Sequence, residues 1–97
     1  MPIYITLANY TNQGVKNIKE SVKASEEAVK IAEEMGEKVI GFYHIMGEYD
    51  VIVISECSGD EVAVAGSIMA SSDGSVRTTT LRAFTQEEFS EIIKKLP

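Results

Sequence analysis

One stretch constrains the fold of this chain more than any other: Gly41-Phe42-Tyr43-His44-Ile45-Met46-Gly47-Glu48-Tyr49-Asp50-Val51-Ile52-Val53-Ile54-Ser55-Glu56. Two β-type runs flank a Gly47-Glu48-Tyr49-Asp50 turn, which is the pattern of a hairpin. A two-residue loop with Glu48 and Tyr49 at its tip sets Gly47 opposite Asp50 and Met46 opposite Val51. Side chains alternate along a strand. Phe42, His44 and Met46 therefore share one face with Val51, Val53 and Ser55, and Gly41, Tyr43 and Ile45 share the other with Ile52, Ile54 and Glu56. Neither face is plainly polar, and a sheet apolar on both sides needs cover on both.

The flanking segments supply part of that cover. Ile3-Tyr4-Ile5-Thr6-Leu7 alternates as a first strand, and Asn9 to Gly14 is turn chemistry. Val15 to Met35 reads as a helical region, apolar at Val15, Ile18 and Val22 and again at Ala28, Ile31, Ala32 and Met35. A break is expected between Ser21 and Ser25, with Ser25 capping the fresh start; Gly36 supplies the stop. Strands follow at Lys38 to Met46 and Asp50 to Cys57. Ser58-Gly59-Asp60-Glu61 opens another helix, through a Ser58 capping box or with Asp60 as the cap, and Gly66 predicts a close helix-to-sheet approach. Val76 to Phe84 is a β-branched fourth strand. Thr85-Gln86-Glu87-Glu88 is a capping box for a last helix carrying Phe89, Ile92, Ile93 and Leu96 on one side, with Phe84 and Phe89 placed as a hydrophobic staple.

The order β-α-β-β-α-β plus a C-terminal helix predicts an α+β fold. It is the ferredoxin-like split β-α-β arrangement, an antiparallel four-stranded sheet with helices on one face. The 97 residues suffice for a single domain, 1–97. One helical layer leaves the second sheet face bare, so another subunit is expected there, as a homodimer or higher homo-oligomer.

Charge narrows the partners. A net charge of −6 with no basic cluster offers nothing to release the counterions of a nucleic acid or to hold an anionic membrane. No run of apolar residues is long enough to span a bilayer, and a cytoplasmic location is expected. Cys57 is the only cysteine, which excludes an intrachain disulfide and reads as a small core residue.

Gly47-Glu48-Tyr49-Asp50, the opening Tyr4-Ile5-Thr6-Leu7, and Val76-Arg77-Thr78-Thr79-Thr80-Leu81-Arg82-Ala83-Phe84-Thr85 together resemble the GYD domain family. The Gly-Tyr-Asp motif of that family carries an inserted Glu48 here. Families of this kind resemble dimeric α/β barrels, in which two sheets enclose a central cavity. Such barrels include small-molecule sensors, cofactor-free monooxygenases and isomerases.

Two functions therefore stand side by side. One is an oligomeric module that binds a small molecule between facing sheets. The other is a cofactor-independent monooxygenase or isomerase acting on an aromatic or enolisable substrate. His44, the only histidine, is the candidate base. One histidine and one cysteine cannot build a structural zinc site in one subunit, and no cofactor motif occurs. Glu56, in a central strand, is a candidate proton acceptor that needs a partner if buried; Arg77 and Arg82, on opposite faces of the fourth strand, offer one each way. Tyr4 and Tyr43 are candidate ligand-orienting hydroxyls, or packing residues. Asp50 is expected to fix the turn by accepting backbone N–H groups.

Overall fold

The computed structural model describes residues 1–97. Strand β1 is Ile3–Tyr10, helix α1 Asn12–Lys16, and a 3-10 turn at Ile18–Glu20 leads into α2, Ser21–Glu34. Strands β2, Lys38–His44, and β3, Val51–Glu56, form the hairpin, followed by helix α3, Asp60–Ser71. Strand β4, Val76–Ala83, and helix α4, Gln86–Ile93, complete the chain. The strands form one sheet in the order β2-β3-β1-β4, every neighbour antiparallel. This is the ferredoxin-like topology expected from the element order.

Alternation sorts the sheet into two unlike faces. Tyr4, Ala8, Val51 and Ser55 are the buried strand residues, and register places them all on one side. That side carries the helices. Ser67 of α3 shares a hydrogen bond of 2.6 Å with Thr80 of β4, and the Ser55 hydroxyl donates to Glu37 Oε1 at 3.2 Å. Tyr4, Cys57 and Ala63 make the central packed cluster, with Val62 against it. Gly66 was expected to bring the helix close to the sheet; it meets the side chain of Glu37, just before β2, whose carboxylate occupies the space a Cβ there would need.

Several local details differ from the sequence expectation. The hairpin pairs His44 with Val51 and Phe42 with Val53, two residues short of the two-residue-loop register. Because the shift is even, the paired residues keep their predicted faces, but β2 ends at His44, and Ile45 and Met46, expected in the strand, lie in the loop. The wider loop closes with Ile45 N–H donating to the Asp50 carbonyl at 2.8 Å, and Gly47 takes a left-handed φ of 112°. A bulge between Val39 and Gly41 interrupts β2.

The helical break falls near Asn17, earlier than expected, and Ser25 lies inside α2 with its hydroxyl on the Ser21 carbonyl. Residues Asn9 and Tyr10 extend β1 where a turn was expected, held by pairing with Arg77 and Val76. Helix α3 begins at Gly59 with no side-chain cap, so neither Ser58 nor Asp60 serves there. Gly36, at φ 99°, ends the α2 segment as expected.

The Thr85–Glu88 capping box forms in full. Helix α4 nevertheless packs closely on no other element; Arg82 ties it to the sheet through Glu88 at 3.3 Å. Phe84, Phe89, Ile93 and Leu96 stay about half exposed or more. No helix is long and apolar enough to cross a membrane.

Candidate functional site

The bare face of the sheet is the most organised surface feature of the chain. Register arranges it in four rows across the strands. The two central rows are Gly41, Ile54, Ile5 and Leu81, and then Tyr43, Ile52, Leu7 and Thr79. One end row holds Lys38, Glu56, Ile3 and Ala83; the opposite end presents Asn9 and Arg77. No residue in these rows is buried. An apolar centre bounded by polar ends is the composition of an interface core and its rim. Tyr43, 58% exposed, lays its ring over Gly41, where a Cβ would collide with it. The glycine thus admits an aromatic to the middle of the face.

The candidate residues read from the sequence divide between the two faces. Tyr43, Glu56 and Arg77 share the bare face. Tyr4, His44 and Arg82 lie on the helix side. The sheet therefore separates His44 from Glu56, and the two do not converge on a common point. His44 is exposed near the end of β2 and tilts against Phe42, ring centres 5.6 Å apart.

Tyr4 and Arg82 belong to a structural cluster. The Tyr4 hydroxyl donates to Asp60, and that bond, with burial, pushes its pKa up to about 12. Arg82 lies 5.8 Å from the Tyr4 ring centre and 4.4 Å from that of Phe84, and its guanidinium also donates to the Ala83 carbonyl. The Glu88 carboxyl is held below its usual range, first by the Thr85 backbone N–H and also by Arg82. Every group here is matched within the chain.

Two further acidic residues are fixed by contacts distant in the sequence. Asp50 accepts from the backbone N–H of Tyr10 at 3.0 Å, while its own N–H donates to the Ala8 carbonyl at 2.9 Å. It therefore bolts the hairpin to β1, the task expected of it but on a different strand. Glu37 is half-buried; burial raises its carboxyl pKa, and the Ser55 hydroxyl partly offsets the rise.

An open cleft of about 560 Å³ lies at the β4 edge between Thr11, Ser71, Gly74, Val76, Arg77 and Thr78. Two of its hydroxyls already donate inward, Thr11 to the Gly74 carbonyl and Ser71 to that of Ser67. No three histidine, cysteine, aspartate or glutamate side chains group as a metal site.

The GYD domain family model matches residues 4–93, nearly the whole chain. The chain belongs to the GYD domain family. A relative from Thermus thermophilus, the "Glutamine synthetase and cystathionine beta-lyase binding protein", is 27% identical over 84 residues, covering 86% of this chain and 88% of the relative. No solved structure matches. Within this GYD domain, the motif's aspartate is Asp50, and its observed bonds are architectural.

Proposed function

We propose that this GYD domain is a binding module that works as a homo-oligomer. Its bare sheet face closes on the same face of a second copy and holds a small molecule between them. The observation that carries this reading is the amount of surface left open. The single chain exposes 6888 Å², against about 5,500 Å² for a compact monomer of its mass. The excess, about 1,400 Å², is more than the roughly 800 Å² each partner hides in a standard interface. On the bare face Tyr43 and Leu81 are exposed, and Ile5, Leu7, Ile52 and Ile54 stay partly open between them.

The separation of His44 from Glu56 favours binding over the monooxygenase or isomerase alternative, which needs an acid–base pair around one substrate. A cytoplasmic setting accords with this reading, since buried Cys57 is a lone thiol.

The name of the Thermus relative supports a second partner class, an enzyme bound by the assembled oligomer. Native mass spectrometry of gently purified protein tests the first reading. A dimer or a multiple of it, carrying extra small-molecule mass lost on denaturation, is expected. A bare monomer overturns the shared-cavity proposal. Added purified glutamine synthetase tests the second, which predicts a complex with the oligomer and is overturned if both run separately.

A further inference from the structure

We infer that two copies stack their bare faces end over end, so that Glu56 of each subunit meets Arg77 of the other. This rests on the self-association proposed above and specifies its geometry. Both residues stand on the bare face, at opposite ends. Glu56 pairs in register with Ile3 and Arg77 with Asn9, six residues apart along β1, or about 20 Å at strand rise. They cannot meet within one chain. Neither has another ionic partner: the ion pairs of the chain are Arg82–Glu88 and Glu91–Lys94. Lys38 lies in register beside Glu56 without forming one.

A closed dimer of identical faces requires a two-fold axis, and two orientations bring sheet onto sheet. With the axis along the strands, β3 of one copy lies over β1 of the other and like ends coincide, which brings the two Glu56 within one strand spacing of each other, about 5 Å sideways, and leaves each Arg77 without an acidic partner. With the axis across the strands, the Glu56 row of one copy lies over the Arg77 row of the other, and the two-fold makes the contact twice. Glu56 is on β3 and Arg77 on β4, with β1 between them. The sideways offset is two strand spacings, about 10 Å, and the stacked sheets stand about 10 Å apart, so the Cα atoms lie about 14 Å from each other, within reach of a fully extended arginine and glutamate together. The apolar central rows coincide in either orientation, so the charged rows decide between them. Opposite charges facing across an interface set register, and like charges exclude the alternative.

A charge-swap series read by sedimentation equilibrium tests this. Glu56→Arg and Arg77→Glu are each expected to weaken the wild-type dimer about tenfold or more. The double variant carrying both is expected to return it close to wild-type strength. Circular dichroism confirms that each variant is folded, and Glu56→Gln with Arg77→Gln replaces any that is not, each neutral variant then weakening the dimer and flattening its salt dependence. If wild type dimerises but the double variant is no tighter than the singles, the end-over-end arrangement is overturned while self-association stands. Single variants that dimerise as tightly as wild type overturn it equally. A wild-type protein of single-chain mass at every concentration overturns both.

Discussion

Glu37 shows how one side chain can set a pH dependence. Its carboxyl titrates above the ordinary range because it is half-buried, so the folded state binds the proton more tightly than the unfolded one. The linkage follows from that sign. Its favourable contribution is complete below the unfolded pKa and is lost as pH rises through the raised folded value. Glu37→Gln, which keeps an acceptor for Ser55, is expected to raise Tm at neutral pH and to leave it unchanged in acid below the carboxylate range. Thermal melts at the two pH values check this. Tyr4 has the same sign at the other end of the scale. Its hydroxyl donates to Asp60 and titrates near 12, so stability is expected to fall between the ordinary tyrosine value and about 12. Spectrophotometric titration should find a tyrosine ionising near 12, and Tyr4→Phe should remove it. Gly14 is constrained sterically, since a Cβ there would collide with the Ser75 carbonyl, which already accepts from Thr11 N–H. Gly14→Ala is expected to cost about 1–3 kcal/mol by denaturant melt. None of these three roles was legible in the sequence, because each depends on an atom more than ten positions away.

Elements were more legible than single contacts. The capping box of α4 follows from Thr85 and Glu88 alone, since both bonds are local. Thr85→Ala is expected to cost about 1 kcal/mol of helix stability, seen as faster amide exchange in α4 than elsewhere. Glu88 adds an acid limit: its depressed pKa contributes stability above the ordinary carboxylate value, lost as pH falls through the folded one. The hairpin faces were legible for a different reason. Alternation determines the face of Tyr43 or His44 whatever the loop length, provided the slip is even, whereas the register itself is set by tertiary bonds. Asp50 binds Ala8 and Tyr10 of β1 and so pulls the end of the hairpin open beyond His44. The cap of α3 was misread because Asp60 is engaged by Tyr4, a partner 56 positions away.

At the scale of the molecule, the chain is extended for its size. Its radius of gyration is 14.7 Å against about 12.5 Å for a compact domain of this length, and its longest dimension is 52 Å. Helix α4 and the bare face both stand clear of the core. That one face would lack cover was legible from the hairpin alone, because Ile52 and Ile54 alternate with Val51 and Val53 and the chain has helices for one layer only. Which candidates would share the face was not, because Tyr4 and Arg82 are placed by β1 and β4 pairing and not by local pattern. A charge placed in the central rows separates an interface from an idle surface. Ile54→Lys should leave the secondary structure intact while abolishing self-association, as read by light scattering. Self-association is tested most directly by the molar mass of the wild-type protein in solution, taken by sedimentation across a range of concentrations. Twice the chain mass or a multiple of it is expected. A single-chain mass throughout would contradict self-association through the bare face.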